Sequence, residues 1–377
     1  MVLRLATELS ASTRTKPLRL EEDQQIPLHL NDLPPELMAE IFLRYLPPYP
    51  LRPPLTGRGS AIFLLGISRK WRAIALQSPL LWRAAMFRCV KTEEDALRFW
   101  FERSGNALLS LQVNTRALDN KEWHDTTHTD ALLALIRAHR SRWQYMEFVV
   151  SLNDVDAIDG PAPNLIRLEV MSVSSSGFRY LTKTNTFRVH DAPLLRSLSM
   201  ENIDSTVDSV PFQDLSSLAL FGVVLDRYIP ILQTAANLTH CKLILTGAFI
   251  RQSETRSVHL PLLEVFIIDT AFEYDMLQQD CLRHFTLPCL RKLEITECFF
   301  GIYTDSAIQL GELIERSGCT LQRLRVTSDR QTSEPPIAVA ACRIAFPGII
   351  VQAHKPGSAA YDYHEWRMEE YWEKTWF

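Results

Sequence analysis

The sequence predicts a chain of mixed α+β or α/β class, in which a small all-α module precedes a long, irregular solenoid of parallel strands. Two observations support this prediction. Apolar residues recur at helical spacing through residues 31–82. Beyond residue 107, the phrase apolar-x-x-apolar-x-apolar occurs nine times, at intervals of 20 to 31 residues from Leu165 onward. Such a period is typical of stacked structural repeats.

The module begins with a predicted helix that follows Asp32. We expect the Asp32 carboxylate to cap the first turn, where backbone N–H groups have no helical partner. Pro34 and Pro35 are tolerated there for the same reason. Apolar residues then recur at helical spacing as far as Leu46, and Pro47-Pro48 ends the helix.

A second helical run is predicted from Ile62 to Leu76. It is separated from the first by a proline- and glycine-rich loop, Pro47 to Ser60, whose composition rules out regular structure. Ser78-Pro79 ends this run, and a third short element opens before Trp82. The packing of any small helical domain accounts for these spacings, whereas the order of particular residues indicates more.

The ordered residues are Leu33-Pro34-x-Glu36-Leu37, Ile41-Phe42, Ser68-x-x-Trp71-Arg72 and Ser78-Pro79-Leu80-Leu81-Trp82. Over about fifty residues this order resembles the F-box family, although the loop from Pro47 to Ser60 is longer than the link of a compact F-box. The resemblance implies docking on Skp1 and, through it, on a cullin-type ubiquitin ligase. The residues that would contact Skp1 are Leu33, Pro34, Leu37, Ile41, Phe42 and Trp71.

The repeated phrase predicts one short strand per copy. Its last two apolar positions are two residues apart and therefore point to one face of a strand, and stacking such strands buries a continuous core. An ordinary α/β domain with parallel strands is the alternative. With the F-box-like start, the array resembles the F-box/leucine-rich-repeat proteins. The copies are Leu108-Leu111-Val113, Trp143-Met146-Phe148, Leu165-Leu168-Val170, Leu195-Leu198-Met200, Leu215-Leu218-Leu220, Leu238-Cys241-Leu243, Leu263-Phe266-Ile268, Leu290-Leu293-Ile295 and Leu321-Leu324-Val326, with a weaker tenth strand at Ile349-Val351.

The residues between and after each buried pair point to the opposite face of the strand. We expect this face to bind a target, and its mixed chemistry favours a protein over nucleic acid or lipid. The predicted target-binding residues are Glu169, Met171, Ser199, Glu201, Phe221, Lys242, Asp269, Glu294 and Arg325, and Ala219, Ile244, Ile267, Thr296 and Thr327 lie on the same track.

The predicted organisation has five parts. They are a flexible N-terminal tail (1–25), the F-box-like domain (26–90), a linking helix (91–107), the repeat solenoid (108–352) and an aromatic C-terminal segment (353–377). The last part carries seven aromatic residues. Either it caps the open end of the solenoid, or it is a docking surface for a partner.

Bulk composition excludes several classes of function. A net charge of −4 gives no field that would gather nucleic acid or an anionic membrane. Seven cysteines without a CxxC pair indicate reduced thiols in the cytoplasm or nucleus. The sequence shows no membrane-spanning run and no secretory signal. The first 25 residues faintly resemble a mitochondrial transit peptide, and a solvated tail is the alternative.

The sequence carries no phosphate-binding loop, nucleophile elbow or HExxH helix, so no cofactor, metal or catalytic residue is predicted. His124 and His128 have a helical metal-edge spacing but no third ligand nearby. The resemblance implies a non-catalytic subunit of a Skp1–cullin–F-box ubiquitin ligase, which would recruit a protein target. The alternatives are an interaction scaffold without a ligase role and an enzyme with an unrecognised site.

Overall fold

The computed structural model describes residues 32–88, 94–115, 126–173, 187–201, 203, 206, 208–247, 257–270, 281–300, 306–327 and 337–354. The predicted N-terminal tail, His124 and residues 355–377 lie outside them. The helices of the described chain are α1 (Pro35–Tyr45), α2 (Ala61–Leu65), α3 (Arg69–Leu76), α4 (Glu94–Ser104), α5 (Thr126–Ala138), α6 (Leu225–Thr234), α7 (Ser306–Ser317) and α8 (Ile337–Ala345). Its strands are β1 (Ala84–Arg88), β2 (Leu109–Asn114), β3 (Trp143–Ser151), β4 (Arg167–Val173), β5 (Ser197–Glu201), β6 (Ser217–Val224), β7 (His240–Gly247), β8 (Val258–His259), β9 (Val265–Thr270), β10 (Phe285–Thr286), β11 (Lys292–Thr296), β12 (Arg323–Thr327) and β13 (Ile350–His354).

Eleven of these strands form one parallel sheet in the order β1-β2-β3-β4-β5-β6-β7-β9-β11-β12-β13, while β8 and β10 pair separately. The spatial order follows the chain order, as in a stack of repeats; a doubly wound domain would reverse it. The predicted α/β class with a large parallel sheet is confirmed. All nine phrases and the tenth segment form strands of this sheet. Strand β1 was not predicted, because its short sequence AAMFR lacks the phrase.

Proline enters the repeats for a geometric reason. The Leu165 N–H donates to the Ala162 carbonyl at 3.1 Å, which closes a turn with Pro163 at its second position. Proline favours that position because its ring fixes φ near the value that the turn needs. Equivalent bonds close the turns ahead of Leu195, Leu263 and Leu290.

The inward-facing residues of the phrases form one hydrophobic cluster that extends from Met38 to Val351. The first copy departs from the predicted register. A shift between Leu109 and Ser110 interrupts the pairing of β2 with β3. As a result Leu109 is buried in place of Leu108, which is half-buried.

Two details of the helical module differ from the predictions. The N-cap of α1 is Pro34, not Asp32, because a residue before proline is held in the extended region, so the helix starts at Pro35. The second predicted run breaks at Gly66–Ser68 into α2 and α3. Ser68 then caps α3, since its Oγ accepts the Trp71 N–H at 3.1 Å.

The module and the array share their core through tryptophans. The Trp82 indole N–H donates to the Ala75 carbonyl at 2.8 Å. Its ring meets Phe99 and Trp100 of α4 edge-on, with centroid separations of 5.3 and 4.8 Å. Helix α4 lies within the predicted linking segment 91–107, and it packs the module directly against the first repeat.

Candidate functional site

Helix α1 presents an apolar face to solvent. Leu37, Ile41 and Tyr45 are 53 %, 37 % and 39 % exposed. They lie at i, i+4 and i+8 and therefore form one stripe along the helix. Glu40 and Arg44 flank this stripe and form an exposed ion pair at 2.9 Å. Contiguous exposed apolar surface with a polar border marks many protein interaction sites.

The opposite side of α1 faces the core, and this corrects one prediction. Phe42 is 0 % exposed, and its ring lies 4.7 Å from that of Trp71. A side chain so enclosed cannot reach a partner without unfolding the module. Phe42 is therefore a core residue that holds α1 against α3, and not part of a Skp1-binding surface.

Helix α2 extends the exposed stripe. Phe63 stacks on Tyr45 with ring centroids 6.0 Å apart, and both rings remain partly open to solvent. The Tyr45 Oη accepts the Gly59 N–H at 2.7 Å, which ties the end of the proline-rich loop to α1. Ile67 is exposed at the end of α2.

The structure thus divides the six residues predicted to contact Skp1. Pro34, Leu37 and Ile41 are exposed, and Leu33 and Trp71 are half-buried against the core. Three further apolar residues are exposed beside them, namely Tyr45, Phe63 and Ile67. The spacing of Tyr45 from Ile41 was a signal for the first of these. We call Leu37, Ile41, Tyr45, Phe63 and Ile67 the docking face.

The loop Pro47–Ser60, here called the insertion loop, packs on the array. The Tyr49 hydroxyl donates to Gln144 Oε1 at 2.5 Å, and the Ser110 hydroxyl donates to the Pro50 carbonyl at 2.6 Å. Arg52 pairs with Glu147 at 2.5 Å, and both side chains are largely buried. The loop therefore covers the start of the sheet, at β2 and β3.

The Tyr49 ring packs between two side chains of the array and of the short segment before β1. The guanidinium of Arg83 lies 3.9 Å from the centre of its ring, and the ring of Tyr145 meets it edge-on at 5.5 Å. Burial raises the pKa of Tyr49 to about 12. The phenol therefore stays protonated at neutral pH and can donate its hydrogen bond.

The predicted target-binding residues do share one face of the sheet, here called the target face. The strand register aligns Glu147, Glu169, Ser199, Ala219, Lys242, Ile267, Glu294 and Arg325 in one row across the strands. The next row contains Met171, Glu201, Phe221, Ile244 and Asp269.

Most of that face is buried, contrary to the expectation of an open binding track. Of the nine predicted residues, only Met171 and Glu201 are partly exposed. The others, Glu169, Ser199, Phe221, Lys242, Asp269, Glu294 and Arg325, are at most 9 % exposed. Alternation along a strand assigned the face correctly, but it carries no information about what lies over that face.

The target face has an apolar centre and a polar end. Ala219, Phe221, Ile244, Val265 and Ile267 form a hydrophobic cluster that is separate from the main core. The ammonium of Lys242 lies 5.3 Å from the centre of the Phe221 ring, which is a cation–π distance.

The polar end lies on β9 to β13. Arg325 and Glu294 form an ion pair at 3.0 Å, and burial raises the pKa of Glu294. The hydroxyl of Thr296 donates to the Asp269 carboxylate at 2.5 Å. Burial lowers the pKa of His354 to about 4, so its imidazole is neutral at neutral pH.

Other candidate chemistry finds little support in the described chain. Its His, Cys, Asp and Glu residues form no group of three placed to hold a metal ion. The backbone of His128 lies in α5, but its side chain is outside the description. None of the described helices has the length and apolar character needed to cross a membrane.

Comparison with known proteins identifies no family for this chain. No protein-family model matches the chain, and no curated protein matches its sequence.

Proposed function

We propose that the protein is the substrate-recognition subunit of a Skp1–cullin–F-box ubiquitin ligase. It would bind Skp1 through the docking face and a protein target through the repeat array. The exposed apolar stripe of Leu37, Ile41 and Tyr45 is the observation that carries this proposal. The residue order of the helical module, which resembles the F-box family, supplies the identity of the partner.

In this role the protein is an adaptor and not a catalyst. It holds a target near a ubiquitin-loaded enzyme and so raises the effective concentration of the reacting groups. Such a role requires a fixed geometry between the two binding surfaces. The shared core at Trp82 and the insertion loop, which is tied to β2 and β3, both favour it.

The test is capture of Skp1 by the full-length chain on co-expression, followed by size-exclusion chromatography. Burying one large apolar side chain contributes about 1.5–3 kcal/mol. We therefore expect the double change Leu37→Asp and Ile41→Asp to weaken capture by about two to four orders of magnitude.

A matched control is available on the array, where Leu194 and Leu262 are exposed to a similar degree. Leu194→Asp with Leu262→Asp should leave Skp1 capture unchanged. Retained capture by the α1 variant, with a native melting curve, would overturn the assignment. The alternative scaffold without a ligase role predicts a soluble chain that ignores Skp1 and does not lower the abundance of its partners.

A further inference from the structure

Helix α8 carries an apolar stripe on the side that faces away from the core. Ile337 and Ile344 are 85 % and 84 % exposed, the highest values among the large apolar side chains that the structure describes. Between them, Ala340 is exposed and Ala341 is half-buried. The four residues lie at i, i+3, i+4 and i+7 and therefore form one continuous stripe, opposite the buried residues of the helix.

The absence of charge from this stripe sets α8 apart from the helices before it in the array. Helices α4 to α7 present charged side chains on their exposed sides, namely Arg98 and Glu102 on α4, Arg137 on α5, Arg227 on α6, and Glu312 and Glu315 on α7. The one charged residue of α8 is Arg343, and its Nε donates to the Val351 carbonyl at 3.0 Å, so this side chain is turned toward β13. A helix that is apolar on almost every side is normally buried, so the stripe marks an interaction surface.

The order of residues in the stripe fits a second copy of this chain. The stripe reads Ile-x-x-Ala-Ala-x-x-Ile in both chain directions. When two such helices pack antiparallel about a twofold axis between Ala340 and Ala341, Ile337 of each copy lies opposite Ile344 of the other. The small central residues let the two backbones approach, and the isoleucines close the contact at both ends. A twofold interface requires this self-complementarity, because the same patch serves on both sides.

Electrostatics and location both permit this pairing. Under the same twofold axis Arg343 lies opposite position 338 of the second copy, which is an alanine, so like charges do not meet. Helix α8 belongs to the last repeat, since it lies between β12 and β13, and β13 is the end strand of the sheet. A solenoid needs a polar outer surface on its terminal repeat to stay soluble, and α8 does not supply one. The docking face belongs to the module ahead of β1, at the other end of the sheet, so it stays free when two arrays join at α8.

We propose that α8 is the contact surface of a homodimer, in which the stripes of two copies pack antiparallel about a twofold axis. The nine residues of α8 span only about 14 Å, so the helix pair buries less than the roughly 1,200–2,000 Å² of a stable, specific interface. The dimer is therefore reversible, and we expect it to be populated at about 100 µM and dissociated at about 1 µM. This inference does not rest on the ligase assignment.

Sedimentation velocity of the full-length chain over this range of concentration tests the proposal. The mass should rise from one copy toward two as the concentration increases. Ile337→Glu with Ile344→Glu should weaken association at least about 10-fold, because acids then face acids across the pair. Glutamate is a better helix former than isoleucine, so this change should not disturb α8. Leu194→Glu with Leu262→Glu, at exposed positions outside α8, is the matched control and should associate as the unaltered chain does.

Exchange of the introduced charges tests both the partner and the direction of packing. Ile337→Lys with Ile344→Lys should be monomeric alone, and an equimolar mixture of this variant with the acidic one should form dimers, since each acid then faces a base. Ile337→Glu with Ile344→Lys also sets acid against base in an antiparallel pair, whereas a parallel pair would set like charges opposite one another. This variant should therefore associate more strongly than Ile337→Glu with Ile344→Glu.

Three outcomes would overturn the proposal. They are an unaltered chain that stays a single copy at the highest concentration, an acidic variant of native circular dichroism that still associates, and a mixture of the acidic and basic variants that does not. All of these readouts are independent of Skp1, so this proposal and the ligase assignment can fail separately.

Discussion

Removal of one partner of the buried ion pair between Arg325 and Glu294 should destabilise the array strongly. The guanidinium and the carboxylate are 3.0 Å apart, and their side chains are 1 % and 7 % exposed. Arg325→Met keeps much of the apolar stem of arginine but leaves the Glu294 carboxylate buried without its closest cation. Breaking a buried pair in this way costs about 3–5 kcal/mol of the free energy of unfolding.

Removing both charges should have a much smaller effect. In the double variant Arg325→Met with Glu294→Met, no unpaired charge from this pair remains. Exchange of a buried ion pair for apolar side chains of similar volume is often neutral or stabilising. The double variant should therefore be more stable than either single variant, which gives a coupling energy of at least about 3 kcal/mol.

The pH dependence supplies an independent check on the cause. Burial raises the pKa of Glu294, and Arg325 opposes this shift. In Arg325→Met the pKa of Glu294 in the folded chain rises further. Between the unfolded and the folded pKa of this residue, the folded chain therefore holds a proton that the unfolded chain has lost. Stability then falls as the pH rises above the unfolded pKa of about 4.5, so the deficit of the variant should be smaller at pH 5 than at pH 8.

Urea unfolding followed by tryptophan fluorescence at both pH values measures these quantities, provided that the m-value stays constant. Arg44→Met is the matched control, because the Arg44–Glu40 pair is exposed and such pairs contribute less than about 1 kcal/mol. Additive single effects, or a deficit that does not change with pH, would refute the reasoning.

Two further predictions concern the insertion loop and the end of the sheet. Arg52→Ala should lower the free energy of unfolding by about 1–3 kcal/mol, because it leaves the Glu147 carboxylate poorly paired. This loss should disappear when the same change is made in a Glu147→Gln background. An effect of Arg52→Ala no larger than that of Arg44→Ala would contradict the prediction. Burial lowers the pKa of His354 in the folded chain from 6.5 to about 4. As the pH falls, this residue therefore binds a proton in the unfolded chain before it does so in the folded chain, and the free energy of unfolding should rise from pH 4 to 6.5 and then level off. This effect contributes roughly 2 kcal/mol to the free energy of unfolding, after allowance for the partial exposure of the imidazole. His354→Asn should therefore flatten the pH dependence of thermal melting between pH 4 and 6.5. An unchanged pH dependence would show that His354 is not the group responsible.

The repeats were predictable because their signal is local. Each copy places its buried residues two apart, and a proline in the preceding turn marks four of the starts. Parallel stacking then follows from the need to bury these faces. The docking face was partly predictable for the same reason, since Leu37, Ile41 and Tyr45 lie on one side of a helix whatever its surroundings.

The burial of individual side chains was not predictable from spacing. Phe42 and Ile41 are adjacent and both apolar, and only the packing of α1 on α3 decides that the first enters the core. Likewise, the alternation of side chains along a strand assigned Lys242 and Arg325 to the correct face of the sheet, but it did not indicate that they would be almost fully buried.

The sequence by itself determined the class of the fold, the position of each repeated strand and the apolar stripe of α1, because all of these depend on spacings within a dozen residues. Only the tertiary structure decided that the insertion loop crosses to β2 and β3, through contacts such as Arg52 with Glu147, 95 residues apart in the chain. It also decided which charges of the target face are paired and buried. Such contacts join residues that are distant in the chain, and no local pattern encodes them.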